Sequence, residues 1–166
     1  MDVEGAVQID GEYNYETAKT RYLLIPPASW SSHRGGYSGP ESFIHMDDNG
    51  ATVWLEGGVI GMANVSAPIN LPVGATITRV DLIYFDNKSQ DVTFTLKKKP
   101  YNGTTTTNIA TNTKVYQGNT LQTLTLTPSE LISSTNMYWL TVNMHTGNDL
   151  HRIFGCRLTY TTTRAE

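Results

Sequence analysis

The stretch that decides the fold is VSAPINLPVGATITRVDLIYFDNKSQDVTFTLKKKP, residues 65–100. Pro68 and Pro72 end a first strand, because proline cannot donate a hydrogen bond to a central ladder. Alternating apolar residues then predict a strand over 76–85, and the polar loop DNKSQD leads into a return strand that starts at Val92. The pattern is that of a β-hairpin with one buried face.

Strand and turn signals continue on both sides of this hairpin. Short strands are expected at 42–45 and 52–55, and LQTLTLTP, MYWLTVNMHT and RIFGCRLTYTTT add three more. One helical turn is predicted at 129–134, with Ser129 as its cap. The expected core faces are Val80, Leu82 and Tyr84; Val92, Phe94 and Leu96; Tyr138, Leu140, Val142 and Met144; and Phe154, Cys156, Leu158 and Tyr160. Eight to ten strands without helical crossovers predict an all-β antiparallel β-sandwich of jelly-roll type.

Composition and charge limit the classes of partner that the chain is expected to bind. The chain has 166 residues, 39% of them hydrophobic and 16% charged, and a formal net charge of −3. No apolar run approaches the roughly 18 residues of a membrane span, so no membrane insertion is expected. The only basic run, at residues 97–99, fits a solvated strand end, so nucleic acid is not an expected partner.

The opening segment MDVEGAVQIDGEYNYET alternates apolar residues with acids. This period of two is typical of a half-buried strand. Fully extended, the first fifteen residues would reach about 45–50 Å at roughly 3.3 Å each, which is more than one strand of a small domain spans. The sequence therefore predicts a stalk-like N-terminal strand at 1–20 in front of a β-sandwich head domain at 21–166.

Two segments carry a resemblance to known proteins. DVEGAVQIDGEYNYET resembles the LDVxGxxxIxG segments of bacterial and phage tail-fibre-like proteins, where such strands join trimeric stalks to a head. INLPVGATITRVDLIYFDN and CRLTYTTTRAE resemble the core and the C-terminal end of uncharacterised secreted β-sandwich domains of marine and environmental bacteria. The resemblance implies a head domain of bacterial or phage origin, located outside the cell or on its surface.

A homotrimer follows from this resemblance and from the unpartnered apolar face. Three N-terminal strands would wrap around a threefold axis, and Trp139, which has the opposite parity to the core residues of its strand, would join the subunit contact. In the alternative, the segment adds to the sheet of its own domain. The residues expected at the trimer contact are Val3, Val7, Ile9, Tyr13 and Trp139.

Residues for catalysis or metal binding are not apparent. The sequence has no nucleophile motif, no Walker loop and no paired histidines, so neither an enzyme nor a cofactor is expected. The acidic loops at 47–50 and 86–91 lack the spacing of calcium ligands. Asp81 is expected to face solvent and to pair with Arg79 or with a base of a neighbouring strand, and Cys156 is expected to be a small core residue.

The strongest binding signal is the glycine-rich segment PPASWSSHRGGYSG at 26–39. Its aromatic, cationic and hydroxyl groups fit recognition of a glycan or of a cell-surface protein. The candidate ligand-binding residues are Trp30, His33, Arg34 and Tyr37, although Trp30 could instead plug one end of the sandwich. These features predict a non-enzymatic attachment head of a trimeric fibre-like surface protein. The alternative is a monomeric carbohydrate-binding module excised from a larger secreted enzyme.

Overall fold

The computed structural model of the chain describes residues 14–33, 43–46, 50–56, 62–86, 91–115, 120–145 and 151–164. Within these ranges it forms twelve strands and a short 3-10 helix, η1, at Pro27–Ser29. The strands are β1 (Asn14–Ile25), β2 (Ser31–His33), β3 (Phe43–Met46), β4 (Val53–Glu56), β5 (Met62–Ile69), β6 (Thr76–Asp86), β7 (Val92–Pro100), β8 (Thr107–Lys114), β9 (Thr120–Leu126), β10 (Glu130–Leu131), β11 (Asn136–His145) and β12 (His151–Arg164). In the described ranges no helix is long and apolar enough to cross a membrane.

The strands form two antiparallel sheets around one hydrophobic core. The seven-stranded sheet has the order β10-β6-β12-β4-β3, with β9 also pairing with β6 and β1 with β12. The five-stranded sheet has the order β2-β5-β11-β7-β8. The predicted hairpin of β6 and β7 is wrong, because the two strands belong to different sheets and face each other across the core instead of pairing. This architecture confirms the predicted all-β antiparallel sandwich of jelly-roll type.

The expected inner faces of β6, β7 and β11 form the centre of this core. All ten of their predicted side chains are buried: Val80, Leu82, Tyr84, Val92, Phe94, Leu96, Tyr138, Leu140, Val142 and Met144. Burying an apolar side chain of this size stabilises the fold by roughly 1.5–3 kcal/mol, so the period-two pattern fixes which face points inward. Cys156 is buried as predicted, and this burial raises the pKa of its thiol.

The predicted strand end lies close to that of β5, which ends at Ile69, one residue after Pro68 and three before Pro72. Pro68 lies in β5 opposite Trp139 of β11. On the other edge, β2 pairs with β5 only at Asn64, Val65 and Ser66. No described strand therefore lies beside Pro68 on that edge, where its missing N–H would interrupt a ladder.

The helical turn predicted at 129–134 is wrong. Glu130 and Leu131 form β10, which pairs with the start of β6. Ile132 then donates its backbone N–H to the carbonyl oxygen of Ala75 at 2.8 Å and is buried in the core. An extended chain buries the Ile132 side chain and also pairs its backbone with the sheet. These tertiary contacts override the local preference for a helical turn.

The predicted inward position of Phe154 is also wrong. A register shift between Ile153 and Gly155 inserts one extra residue into β12, so Ile153 is buried and Phe154 is 39% exposed. Gly155 has φ +139°, a conformation that L side chains rarely adopt, and an added Cβ would lie 3.2 Å from the carbonyl oxygen of Ile25. The bulge therefore depends on a glycine at this point.

Two strands differ from the sequence prediction in extent. β8 has no counterpart among the predicted strands, because its residues are almost all polar and exposed or partly exposed. β1 continues from Asn14 to Ile25 and pairs with β12 along most of its length. The predicted domain division at residue 20 falls inside β1, and it stays a prediction.

Candidate functional site

Trp30, the first of the predicted ligand residues, follows η1 directly. Its side chain is 5% exposed and belongs to the hydrophobic core. Its indole Nε1 has no hydrogen-bond partner in the described part of the chain. This burial favours the alternative that Trp30 closes part of the sandwich, while its contact with a ligand stays a prediction.

The other predicted residues are only partly described. His33 ends β2, where its backbone lies opposite Asn64 of β5. Six predicted residues lie outside the described ranges: Arg34 and Tyr37 of the glycine-rich segment, and Val3, Val7, Ile9 and Tyr13 of the expected trimer contact. The loop site and the trimer contact therefore stay predictions. The two outer sheet faces are where the described residues can form a site.

The outward side chains of the five-stranded sheet form rows across the strands. Directly opposite residues of an antiparallel pair lie on the same face, and Trp139 has the opposite parity to the buried Tyr138 and Leu140. Successive rows are about 7 Å apart along the strands. The rows are Met137 with Lys99; Pro68, Trp139, Lys97 and Asn108; Ser31, Ser66, Thr141, Thr95 and Thr111; and Asn64, Asn143, Thr93 and Thr113.

Trp139 and its neighbours form a surface that we call the Trp139 platform: Pro68, Met137, Trp139 and Lys97. Pro68 is exposed, Met137 is 41% exposed, and the Trp139 and Lys97 side chains are partly exposed. Parity in the sequence identified Trp139 and Met137 as outward residues, and the structure confirms this orientation. Their position beside Pro68 and Lys97 could not be predicted, because it depends on the pairing of β11 with β5 and β7.

Hydroxyl and amide groups cover the rest of this face. Asn143 donates from Nδ2 to Oδ1 of Asn64 at 3.1 Å, and the hydroxyls of Thr93 and Thr113 are 3.0 Å apart. Three small side chains in the centre of the face are buried: Ser66, Thr95 and Thr141. The exposed polar groups of these rows lie on the two outer strands of the sheet: Asn108, Thr111 and Thr113 on β8 and Ser31 on β2.

A cleft of about 600 Å³ adjoins the platform at one end of the sandwich. Residues 68–73 form one wall, and residues 132–134 and 136–138 form the other. Pro68 and Met137 belong to both the cleft and the platform. A volume of this size is typical of small-molecule sites, which combine apolar walls with a few polar groups, here Asn70, Asn136 and two serines.

Hydrogen bonds hold the second wall of this cleft in place. The Tyr138 hydroxyl accepts from the backbone N–H of Ser133 at 3.1 Å and donates to the carbonyl oxygen of Leu131 at 3.3 Å. Lys98 donates from Nζ to Oε1 of Glu130 at 2.8 Å, and this hydrogen bond raises the pKa of Lys98. The wall is therefore fixed before a ligand arrives, and the charge of Lys98 is compensated.

The outer face of the seven-stranded sheet centres on Asp81. The prediction that Asp81 faces solvent is wrong, since its side chain is 5% exposed. Its predicted pairing with Arg79 is confirmed: Nε of Arg79 lies 2.9 Å from both carboxylate oxygens, and Arg157 of β12 and Thr125 of β9 also donate, at 3.2 and 2.7 Å. Burial by itself raises the pKa of this carboxyl, but the hydrogen bonds from Arg79, Thr125 and Arg157 outweigh it and hold the pKa below its ordinary value.

Apolar side chains surround this charged group. The guanidinium carbon of Arg157 lies 5.8 Å from the centre of the Tyr22 ring, a cation–π contact. Five large side chains of the face are exposed: Tyr22, Leu24, Ile83, Leu121 and Phe154. Exposed leucine and isoleucine offer no directed polar contacts, so this face suits a sugar ring less well than the Trp139 platform does.

Groups of at least three histidine, cysteine or acidic residues that could hold a metal are absent from the described ranges. A buried pair does occur, in which Nε2 of His151 lies 3.1 Å from Oδ1 of Asp86. Burial and the negative charge of Asp86 raise the pKa of Tyr84 to about 12. These buried groups lie away from the platform and cleft.

Comparisons with known proteins show a similarity of fold alone. No family model matches the chain, and no curated protein matches it. A solved structure described as a xylan-binding module, CBM15, superposes with a TM-score of 0.51 at 12% identity and covers 89% of this chain and 100% of its own. A xylan-binding domain from CBM 22 gives a TM-score of 0.48 at 12% identity, over 90% of this chain and 95% of its own. The Eiger TNF from S. frugiperda gives 0.47 at 7% identity, over 90% of this chain and 95% of its own.

Proposed function

We propose that the protein is a non-catalytic, extracellular carbohydrate-binding module that holds a glycan across the Trp139 platform and the adjoining cleft. The observation that carries the proposal is the position of Trp139, a partly exposed indole between Pro68 and Lys97 beside an apolar cleft. A sugar ring presents C–H groups on its faces and hydroxyls at its rim. An indole face with polar groups around it matches both.

The sandwich makes this surface rigid. β11 lies between β5 and β7, so the strand that carries Trp139 is hydrogen-bonded on both edges. A surface held in this way loses little conformational entropy when a ligand binds. The exposed Asn108, Thr111 and Thr113 supply amide and hydroxyl groups on β8, two strands from the strand that carries the indole.

The structural similarity to a xylan-binding module supports the proposal only through the fold, and it does not identify a ligand. At 12% identity the superposition says nothing of which sugar this chain would bind. The platform geometry is therefore the main support for glycan binding. The extracellular location belongs to the same proposal, because such a module would hold a polysaccharide outside the cell.

The trimeric fibre head remains a separate prediction from the sequence. None of the reported structural likenesses points to a fibre head, and most of its expected contact residues lie outside the described ranges. Light scattering tests it directly, because one chain has a mass of 18.4 kDa and a trimer three times that value. A trimer that buries Trp139 in its subunit contact would cover the platform and contradict the glycan proposal, whereas a trimer joined by the N-terminal strands alone would leave the platform accessible.

Affinity electrophoresis through gels that contain single polysaccharides tests glycan binding. The panel includes xylan, mannan, a mixed-linkage β-glucan, agarose and polygalacturonate. The native chain is expected to be retarded by at least one of them, and Trp139→Ala is expected to lose the retardation.

Tyr22→Ala is the matched control, since it removes an exposed aromatic ring from the opposite face. This variant should be retarded like the native chain, and both variants should unfold at nearly the native temperature. If no polysaccharide retards the native chain, or if Trp139→Ala binds unchanged, the proposed function is wrong.

A further inference from the structure

The five-stranded sheet is unusual in its charges. Its strands β2, β5, β7, β8 and β11 contain no aspartate and no glutamate. They contain four lysines, which are Lys97, Lys98, Lys99 and Lys114. The sheet that carries the Trp139 platform is therefore positively charged, although the whole chain has a net charge of −3.

Two of these lysines, one in the platform and one next to it, have no counter-charge among the residues that the structure describes. Lys97 is opposite Trp139 and Lys99 is opposite Met137, so both belong to the outer face. Neither makes an ion pair with another residue in the described ranges. Lys98 has the other parity and is bound to Glu130.

The acids whose side chains the structure describes are each bound to another residue or distant from the two lysines. Asp81 lies between two arginines on the other sheet, Asp86 contacts His151, and Glu130 contacts Lys98. Asp91 precedes β7 and is about 20 Å from Lys97 along the strand. The acids whose side chains the structure describes therefore do not neutralise Lys97 or Lys99.

The spacing of the two lysines makes an anionic ligand favourable. Residues two apart on a strand lie on one face about 7 Å apart, so the two ammonium groups repel each other. A negative group placed between them removes this repulsion and gains two charge-assisted hydrogen bonds. The same ligand can stack its ring on Trp139 in the neighbouring row.

From this arrangement we infer that the bound glycan is anionic and that Lys97 and Lys99 receive its carboxylate or sulfate groups. The inference rests on the proposed function, because it names the class of glycan held at the same platform. It differs from the expectation that the lysine run is only a solvated strand end. The polymer's charged groups lie along the β7 side of the platform, and its rings lie over Trp139.

Isothermal titration with matched polysaccharides tests this inference. Polygalacturonate is compared with its methyl-esterified form, which has the same backbone without the carboxylate charge. A sulfated galactan, carrageenan, is compared with neutral agarose. At least tenfold tighter binding to one charged member than to its neutral partner is expected, and the pair that shows it identifies carboxylate or sulfate as the ligand group.

The double variant Lys97→Gln, Lys99→Gln should reduce this preference to less than threefold. Lys114→Gln removes the same charge at the far end of the sheet and should keep the preference. The affinity of the native chain should also fall as salt concentration rises, and less steeply in the double variant.

Each other outcome overturns a defined part of the argument. If the chain binds the charged and neutral forms equally and Trp139→Ala binds neither, the inference of an anionic ligand is wrong and the proposed function still holds. A preference that survives in the double variant contradicts the assignment to Lys97 and Lys99. If the chain binds oligothymidylate as tightly as the charged polysaccharide, and Trp139→Ala does so too, charge alone attracts the ligand. That result contradicts a glycan site at Trp139. Absence of binding to every polysaccharide overturns the inference and the proposed function together.

Discussion

The outer face of the seven-stranded sheet and that of the five-stranded sheet differ in how their charges are paired. On the first, Asp81 is bound by two arginines and a threonine from three strands. On the second, Lys97 and Lys99 have no counter-charge among the described residues. A charge that is paired internally contributes to stability, whereas an unpaired charge beside an exposed ring is available to a ligand.

The apolar groups of the two faces differ as well. The seven-stranded face exposes the aliphatic side chains of Leu24, Ile83 and Leu121 between its aromatic residues. The five-stranded face concentrates its apolar surface at Trp139, Met137 and Pro68, next to a cleft. The exposed aromatic area of a sandwich therefore does not identify a binding site by itself. The polar groups around it and their pairing must be considered too.

The largest expected effect on stability comes from Asp81→Asn. The substitution removes the charge that Arg79 and Arg157 share, and we expect a loss of about 1–3 kcal/mol in the free energy of unfolding, with the lower part of this range favoured because both arginine side chains are half exposed. Urea denaturation measures the loss. Polysaccharide binding should not change, and a variant with native stability would contradict the role given to this network.

A smaller effect is expected from pH. Because the pKa of Asp81 is lowered in the folded chain, its contribution to stability is present above its unfolded pKa of about 3.9 and is lost as the pH falls through the folded value. The stability difference between the native chain and Asp81→Asn should therefore shrink as the pH is lowered below about 4. Thermal unfolding across this range measures it. Lys97→Gln serves as the control, because its stability should fall at low pH in the same way as that of the native chain. A stability difference between the native chain and Asp81→Asn that stays constant with pH would show that Asp81 is not the titrating group.

The smallest effect is expected from Thr111→Val on the five-stranded face. Its hydroxyl donates to Oγ1 of Thr95 at 3.3 Å and is exposed, so water replaces the bond and the loss should stay below about 1 kcal/mol. Valine also suits a strand. If Thr111→Val loses as much stability as Asp81→Asn, the two outer faces do not differ in how much their hydrogen bonds stabilise the fold.

Parity in the sequence identified part of the candidate site. The alternation of Tyr138, Leu140, Val142 and Met144 placed Trp139 on the outer face, and the structure confirms this. The cleft could not be found in the same way, because residues 68–73 and 132–138 are brought together only by the pairing of the sheets. The role proposed for Lys97 could not be predicted from the sequence either, since it depends on the residue opposite Lys97 in β11 and on the lack of acids in the five strands of that sheet.

The period-two pattern by itself determined the strands β6 and β7, the core faces of three long strands and the burial of Cys156, because alternation is a local property of an extended chain that must bury one face. It did not determine how β6 and β7 pair, since the two strands belong to different sheets. It could not determine where that alternation breaks. Phe154 is exposed because the backbone of β12 bulges at Gly155, close to the carbonyl oxygen of Ile25 on a distant strand. Asp81 is buried because Arg157, 76 residues away in the chain, reaches it from β12. Both outcomes depend on contacts between strands far apart in sequence, and only the tertiary structure decided them.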